Sequence, residues 1–422
     1  MGMQADLSND TTTAEIEIID VGYGGDGVAR LPDGMTVFVP FAAVGDRLRV
    51  RIVNRKQRFA RAEIDAVLTP GPARVTPPCP YYGRCGGCRY QHIAHAEQVR
   101  LKAAQLTALL TRVGKLTGLP AVEGCAPSPR AYGYRNKMTL RPVGPGGWGY
   151  VDMDNETPVA IRACMIAHDD LNRRFGELTA SGEINRLPSE SADAPVVLRR
   201  SSTGQVLAFR RATPETLTEV VLGQGFMVAS AGFFQVNPFV LDPMVAWMRG
   251  VIGDAAQDVL LDAYCGCGVF AAMLGSRATE VVGIENEAAA VRNAGANARA
   301  ARIPRARFIL GEVEKRLHHE LDRIPPTARS CIVLDPPRAG CHPRVIESLR
   351  RAPPAQLIYV SCNPGALARD LSRLTTGTPL RLKRLALFDM FPQTEHFETV
   401  AVLERAGQTA MPASVVSGSS KV

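Results

Sequence analysis

The chain has 422 residues, 46% of them hydrophobic, which is enough for two or three domains with separate cores. Its formal net charge of +8 favours a polyanionic partner. No apolar stretch is long enough to span a bilayer and no signal peptide precedes the ten cysteines. We therefore expect a cytoplasmic protein with reduced thiols and no membrane contact.

The N-terminal region has the pattern of a small, OB-like β-barrel. After a polar leader, residues 1–13, that we expect to be disordered, residues 14–72 alternate short strand-like runs with glycine-rich turns. One run, residues 47–53, alternates between basic and apolar residues, which would turn the basic side chains outward together. A run of basic residues is usually the solvent-exposed face of a strand. Here, however, seven basic residues against two acidic ones across residues 46–63 favour nucleic-acid binding. The candidate contacts are Arg47, Arg49, Arg51, Lys56 and Arg58.

The rest of the chain divides into a central region and a C-terminal region. Residues 73–230 mix helical and strand-like segments, which predicts a central α+β domain with a helix at residues 94–113 and a hairpin at residues 196–210. Residues 231–405 alternate apolar strands with Ala-rich helices, which predicts a parallel, doubly wound α/β sheet of Rossmann-like type. Residues 406–422 are rich in Ser, Gly and Ala, and we expect a disordered tail.

Three cysteines of the central region stand close together in sequence. Cys79, Cys85 and Cys88 are separated by five and then two residues, and Cys164 is the best candidate for a fourth ligand. Zinc would tolerate these thiolates but more often takes two paired-cysteine knuckles, whereas cysteine-only ligation with a distant fourth member also suits a four-iron cluster. The radical enzymes that cleave S-adenosylmethionine use a three-then-two gap, which this chain lacks. We favour a closed, structural [4Fe–4S] cluster.

The C-terminal region carries features of a nucleotide-cofactor site. An apolar strand is followed by a turn in which Gly266 and Gly268 would let a ligand approach the backbone. Glu285 ends the next strand, where a carboxylate can bind two ribose hydroxyls. A dinucleotide motif would have a third glycine where this chain has Ala271, so S-adenosylmethionine fits better than NAD. Asp335 follows a later strand and belongs at the same sheet edge, unless it is only a turn former.

Cys362 stands where an apolar run gives way to an Asn-Pro turn, which is a common place for chemistry in α/β enzymes. The alternative is a small hydrophobe buried at a strand end. Downstream, Glu395, His396 and Glu398 offer groups for proton transfer. A thiol and a base together permit methylation of uracil: the thiolate adds to C6, C5 attacks a methyl sulfonium, and the base removes the C5 proton before the thiolate leaves. Such a site must take the base out of its stack.

Over about residues 14–405 the chain resembles the RNA uracil-5-methyltransferase family, in the branch with an N-terminal TRAM domain and an iron–sulfur cluster. The resemblance rests on the cysteine spacing and on Phe-Gln-Val-Asn (234–237), Asp-x-Tyr-Cys-Gly-x-Gly (262–268), Asp-Pro-Pro-Arg-Ala-Gly (335–340), Ser-Cys-Asn-Pro (361–364) and His-x-Glu (396–398). Three residues depart from the family pattern. Cys267 replaces an apolar residue, Val269 replaces a polar one, and Glu312 replaces the commoner aspartate.

The resemblance implies roles for particular residues. The family's nucleophile falls on Cys362 and its proton acceptor on Glu398. The implied cofactor contacts are Gln235, Tyr264, Glu285, Glu312 and Asp335, and the implied cluster ligands are Cys79, Cys85, Cys88 and Cys164. Arg135 and Lys137 match a segment of the central domain that is expected near RNA. The five remaining cysteines are expected to be packing residues.

We therefore expect a monomeric, S-adenosylmethionine-dependent methyltransferase that makes 5-methyluridine in RNA. The preferred substrate is 23S ribosomal RNA, because the combination of TRAM domain and cluster resembles the ribosomal enzymes, and the T-loop of transfer RNA is the alternative. A cytosine-5 methyltransferase would share the thiol chemistry, but those enzymes place their thiols in different motifs. The hypothesis from another functional class is a non-catalytic iron–sulfur protein that binds RNA. Its function would not change on loss of Cys362.

Overall fold

The computed structural model describes residues 12–144, 146–154, 156–253, 256–303 and 305–407. The leader and the tail expected to be disordered therefore lie almost wholly outside the described residues. Thr13, placed in the leader, opens the first strand instead. Within the described ranges, no helix combines the length and apolar character needed to cross a membrane.

The N-terminal region is a six-stranded antiparallel-rich sheet with strand order β1-β5-β6-β4-β3-β2. Its strands are β1 (Thr13–Glu17), β2 (Asp20–Val21), β3 (Gly27–Arg30), β4 (Thr36–Val39), β5 (Arg47–Arg55) and β6 (Phe59–Thr69). The first and last strands of this order are consecutive in the chain. The amide of Ile18 donates to Asp46 on one side, and that of Ile19 donates to Val28 on the other. The sheet thus closes on itself into the expected small barrel.

The central region contains a second sheet of order β10-β9-β8-β11-β12 and a separate hairpin, β13–β14. The strands are β7 (Val122–Glu123), β8 (Lys137–Val143), β9 (Gly147–Val151), β10 (Pro158–Ala160), β11 (Val196–Arg200), β12 (Val206–Phe209), β13 (Thr216–Val221) and β14 (Gln224–Ala229). The helices are α1 (His95–Arg112) and α2 (Asp169–Ala180). The structure thus has the helix and the hairpin expected in this region.

The C-terminal region is built around an eight-stranded sheet of order β17-β16-β15-β18-β19-β21-β20-β7. Its own strands are β15 (Gln257–Ala263), β16 (Ala278–Glu285), β17 (Ala306–Leu310), β18 (Ser330–Leu334), β19 (Gln356–Ser361), β20 (Leu380–Phe388) and β21 (Glu398–Arg405). The helices are α3 (Pro238–Ile252), α4 (Val269–Leu274), α5 (Ala288–Ala300), α6 (Val313–Asp322), α7 (Pro343–Arg351) and α8 (Pro364–Thr375). The first five strands of the order are parallel, as expected for a doubly wound sheet.

The central region also contributes to the C-terminal core. Strand β7 extends the eight-stranded sheet at its edge, and Val99, Leu106 and Leu110 of α1 are buried in the same cluster as the C-terminal strands. The boundary drawn at residue 230 stays a prediction, but these elements cross it.

The sheet topology brings the ends of distant segments to one edge. Parallel strands β15, β16, β18 and β19 all finish there, and the antiparallel β21 begins there. Local sequence fixes where α8 starts after β19. The Asn363 side chain accepts hydrogen bonds from Gly365 and Ala366 at 3.0 and 3.3 Å, and Pro364 occupies the first helical position of α8.

Candidate active site

A cavity of about 1080 Å³ opens at this carboxyl edge of the sheet. Six of the predicted cofactor contacts line it: Gln235, Tyr264, Gly266, Glu285, Glu312 and Asp335. The predicted nucleophile Cys362, the predicted base Glu398 and the predicted RNA contact Arg135 line the same cavity. The cavity thus joins residues that are up to 263 positions apart in the sequence, from Arg135 to Glu398.

The five predicted RNA contacts of the barrel lie outside this lining, and so do Gly268 and Lys137. Gly268 caps α4 with a φ of 82°, and a Cβ atom there would stand only 3.0 Å from the side chain of Ala294. The turn and the packing of α4 against α5 therefore require a glycine at position 268. Lys137 lies in β8, and its backbone carbonyl accepts a 3.0 Å hydrogen bond from Nε of Arg135. Lys137 thus contacts the residue that lines the cavity.

The Cys362 thiol is held in the turn between β19 and α8 and is half-buried. Burial is the main cause that raises its pKa to about 11, and the charge of Glu398 raises it further. The guanidinium of Arg338 acts in the opposite direction. At neutral pH the thiol of the ligand-free protein is therefore protonated, and a positive charge entering the cavity would favour the thiolate.

Glu398 is the first residue of β21 and pairs with Phe388 in β20. Its side chain is buried, and burial raises its pKa well above the usual value, with the Asp335 charge adding to the effect. Arg338 again opposes the shift. Burial likewise raises the pKa of Asp335 to about 7. The cavity therefore holds three acidic groups, Cys362, Glu398 and Asp335, that all resist ionisation.

Glu285 ends β16 and is oriented by the backbone. Its carboxylate accepts hydrogen bonds from the amides of Gly266, Asn286 and Glu287 at 3.0, 2.7 and 2.9 Å. Tyr264, at the start of the same turn, has a φ of 67°, a left-handed conformation that is uncommon for a tyrosine. The turn and the carboxylate thus hold each other in place, which suits an acceptor for ribose hydroxyls.

Sequence reasoning missed Arg338, which stands within the Asp-Pro-Pro-Arg-Ala-Gly motif. Its charge acts to lower the pKa of both Cys362 and Glu398, although burial keeps both values raised. The backbone carbonyl of Arg338 accepts a 2.9 Å hydrogen bond from Asn363. The signal was present, because a guanidinium beside a thiol and a carboxylate is a natural partner for both. Arg338 is therefore the cation of the cavity that acts on both Cys362 and Glu398.

A buried ion pair supports the segment before Glu398, and it too was missed. The Lys102 ammonium, which is fully buried in α1, lies 2.8 Å from Asp389 and 3.1 Å from the carbonyl of Phe391. The pair raises the acidity of Asp389, whose pKa falls to about 2 despite burial. Its members are separated by 287 residues, and a lone lysine on a helix gives no sign of such a partner.

The four candidate cluster cysteines lie near one another but apart from the cavity. Burial raises the pKa of Cys88 to about 12, and the charges of Cys164, Cys85 and Cys79 raise it further. Within the described residues, no group of three or more His, Cys, Asp and Glu side chains is arranged to hold a metal ion. The thiols are thus close enough to interact electrostatically.

The remaining cysteines divide in a way that corrects one expectation. Cys265, Cys267, Cys331 and Cys341 are buried, as expected for packing residues. Cys125 was grouped with them, but it is exposed. Cys125 lies between β7 and β8. Strand β7 has only two residues, which is too few for the sequence pattern to show which face is buried.

Strand β5 has the predicted alternation, with Leu48, Val50 and Ile52 buried and the basic residues exposed. Several basic side chains already have acidic partners, however. Arg49 faces Glu15 at 3.7 Å, and Arg51 pairs with Glu63. Among the described residues, the predicted contacts that have no such partner are Arg47, Lys56 and Arg58. The positive charge available to RNA is therefore smaller than the sequence alone indicates.

Comparison with known proteins agrees with this arrangement. Residues 9–64 match the TRAM domain, and residues 185–406 match the family described as tRNA (Uracil-5-)-methyltransferase. A protein of Thermosynechococcus vestitus named as an uncharacterized RNA methyltransferase is 32% identical, over 93% of this chain and 98% of the relative. One of Streptomyces avermitilis with the same name is also 32% identical over the same shares of both chains.

A solved structure shares the fold over nearly the whole chain. It is the Pyrococcus abyssi tRNA (uracil-54, C5)-methyltransferase in complex with S-adenosyl-L-homocysteine, with a TM-score of 0.69 and 23% identity over 92% of this chain and 100% of that one. Together with the family match, these comparisons identify the chain. It belongs to the tRNA (uracil-5-)-methyltransferase family and is an S-adenosylmethionine-dependent RNA methyltransferase with an N-terminal TRAM domain.

Proposed function

We propose that this enzyme methylates C5 of a uridine in 23S ribosomal RNA through a covalent bond between Cys362 and C6 of the base. One observation carries the proposal: Cys362, Glu398 and Glu285 line a single cavity at the carboxyl edge of the sheet. A nucleophile, a buried carboxyl group and a ribose acceptor are the three groups that the reaction needs.

The reaction begins with addition of the Cys362 thiolate to C6, which places electron density on C5. That carbon would then accept the methyl group that S-adenosylmethionine supplies when bound, and loss of the sulfonium charge would offset the negative charge of the adduct. Glu398 accepts the C5 proton, the bond between sulfur and C6 breaks, and the thiolate leaves. Atoms and charges balance if Cys362 is deprotonated and Glu398 is ionised when the base enters.

The cavity also fits the cofactor. Its volume of about 1080 Å³ is in the range of ligand sites, and Glu285 presents its oriented carboxylate to it. Bound S-adenosylmethionine supplies the methyl group and a positive sulfonium. We assign the remaining contacts to Gln235, Tyr264, Gly266, Glu312 and Asp335, which line the same space. Arg338 and the incoming positive charge together favour ionisation of Cys362 and Glu398, whose pKa values are raised in the ligand-free cavity.

We further propose that Cys79, Cys85, Cys88 and Cys164 hold a structural [4Fe–4S] cluster. A single zinc ion would need the sulfurs to converge at about 2.3 Å from one point. Besides burial, the charges of Cys79 and Cys164 raise the pKa of both Cys85 and Cys88, so the four thiols lie close together, as ligands of one cluster must. The cluster residues would hold the loop that follows Thr69 and take no part in the transfer.

The choice of ribosomal RNA rests on the combination of TRAM barrel and cysteine set. Transfer RNA is the second candidate, and two observations favour it: the description of the matched family and the substrate named for the Pyrococcus abyssi enzyme. The barrel and the residues around Arg135 would contact either RNA. The two substrates are distinguished by mapping 5-methyluridine in both RNA classes from cells that lack this protein.

The deciding test is Cys362→Ala in purified enzyme and in the deletion cells. We expect methylation to fall by about 10⁴-fold or more, because the two other cysteines that line the cavity, Cys267 and Cys341, are buried. Binding of S-adenosylhomocysteine should be unchanged, which separates chemistry from folding. Substantial activity in the variant would contradict the covalent mechanism. Appearance of 5-methylcytidine instead of 5-methyluridine would contradict the choice of base.

A further inference from the structure

A glycine-rich turn of the N-terminal barrel, residues 22–27, reaches the active site of the C-terminal sheet. The ring of Tyr23 meets that of Phe397 edge to face, with centroids 6.3 Å apart and planes at 82°. Phe397 is fully buried and immediately precedes Glu398. Tyr23 is 37% exposed, so it has a free part of its ring beside the segment that carries the proposed base.

The turn is held firmly, which makes Tyr23 a fixed feature of the site. Nε2 of Gln105 in α1 donates to the carbonyls of Val21 and Gly22 at 2.8 and 3.2 Å. Gly25 has a φ of 96°, and a Cβ atom there would lie 3.2 Å from the side chain of Arg89. Gly25 therefore allows the turn to pack closely against Arg89, which follows Cys88 in the sequence.

The charges around Tyr23 place it near the proposed chemistry. Burial raises its pKa to about 12, and Glu395 and Cys362 contribute further in the same direction while Arg338 opposes them. The phenol thus stays neutral and lies within electrostatic range of the thiol. Tyr23 does not line the cavity, but its ring packs on Phe397, the neighbour in sequence of Glu398, which does.

A partly exposed aromatic ring beside the segment that carries the proposed base has a physical use in RNA modification. A target base that leaves its stack uncovers its neighbours, and an aromatic side chain stabilises an uncovered base by stacking. The basic strand β5 of the same barrel can contact phosphates but cannot orient a base. Tyr23 offers the barrel an aromatic ring for this purpose beside the segment that carries Glu398.

We propose that Tyr23 stacks on a nucleotide adjacent to the target uridine and so positions the RNA over Cys362. This makes Tyr23 a positioning residue contributed by the barrel, and the inference rests on the proposed function of Cys362. The barrel would then determine where the RNA is methylated in addition to how tightly it is held.

The test compares Tyr23→Ala, Tyr23→Phe and, as a control, Ile19→Ala, which removes an exposed apolar side chain from the same barrel. We expect Tyr23→Ala to lower kcat/KM for RNA by about 10- to 100-fold, the range for loss of one stacked base. The KM for S-adenosylmethionine and the Tm should stay unchanged, and Tyr23→Phe and the control should keep wild-type values. RNA with 2-aminopurine beside the target uridine should fluoresce more brightly with Tyr23→Ala than with the wild type.

Three results would overturn the inference: wild-type kcat/KM in Tyr23→Ala, an equal loss in Tyr23→Phe, or a matching rise in the KM for S-adenosylmethionine. Cys362→Ala assayed in parallel distinguishes failure of this inference from failure of the proposed function. If that variant is inactive while Tyr23→Ala is fully active, only the role of Tyr23 is wrong. If Cys362→Ala remains active, the proposed function fails and the inference fails with it.

Discussion

The active-site cavity and the four-cysteine segment differ in how their side chains are held. The cavity residues stand at the ends of β15, β16, β18 and β19 and at the start of β21, so a hydrogen-bonded sheet fixes them without a ligand. Residues 70–94 contain only isolated bridges, and their thiols are near one another without an ion-ready arrangement. Sheet edges can thus be preorganised by the chain alone, whereas the proposed cluster ligands would depend on the cluster for a fixed arrangement.

Acidic groups in both the cavity and the four-cysteine segment have pKa values raised by burial, but the consequences differ. Burial raises the pKa of Cys362 and Asp335 in the cavity and of Cys85 and Cys88 in the loop. In the cavity, this makes the acids responsive to the charge of a passing ligand. In the loop, ligation of the proposed cluster would have to displace protons, which would couple its binding to folding. The following predictions test this difference, from the largest expected effect to the smallest.

Glu398→Gln should lower turnover by about 10²- to 10⁴-fold, the range for loss of a positioned base. Since the C5 proton can no longer be removed, the bond between Cys362 and the methylated base should persist. A protein–RNA band that survives denaturing electrophoresis measures this adduct. The double variant Cys362→Ala, Glu398→Gln is the control and should give no band. An adduct-free Glu398→Gln enzyme would contradict the assignment of the base.

Cys88→Ser should remove iron from anaerobically purified protein, which should otherwise be brown, and should lower the Tm by about 5–10 °C because a structural site is lost. Cys125→Ser is the matched control, since that thiol is exposed and outside the set. Iron content and thermal melting measure both variants. A colourless wild-type protein with one bound zinc would show that the loop holds a single ion after all.

Binding of S-adenosylmethionine should release more protons than binding of S-adenosylhomocysteine, which lacks the sulfonium charge. With a pKa of about 7, Asp335 is about half protonated at pH 7, and a nearby cation lowers that pKa, so the bound proton is lost. We expect a difference of up to about half a proton per site from this group. Calorimetry in buffers of different ionisation enthalpy measures it. Asp335→Asn should abolish most of the difference; an unchanged value would mean that another acid responds.

The smallest effects are expected on the barrel. Lys56→Ala and Arg58→Ala should each reduce the slope of log affinity for RNA against log salt by about 1, because each removes an uncompensated charge. Arg51→Ala, whose side chain pairs with Glu63, should change the slope less. Filter binding over a range of salt concentrations makes the comparison. Equal slopes for all three variants would mean that the ion pairs open when RNA binds.

Much of the fold could be predicted because its signals are local. Alternating residues in β5, apolar runs in β15–β19 and the Asn-Pro turn after Cys362 each specify their own structure. Arg338 and the Lys102–Asp389 pair were missed, because their roles depend on which distant segments the sheet brings together. The two-residue strand β7 was missed because two residues show no period.

The apolar cluster of Val21, Ala43, Tyr90, Ile93 and Leu101 joins the barrel, the cysteine segment and α1. All five residues are at most 2% exposed. A chain that began after residue 70 would uncover Tyr90, Ile93 and Leu101 to water and would leave the Gln105 amide without its acceptors in the turn. The barrel is therefore not an exchangeable module. Grafting it onto another enzyme, or trimming it away, requires redesign of the surface that it covers.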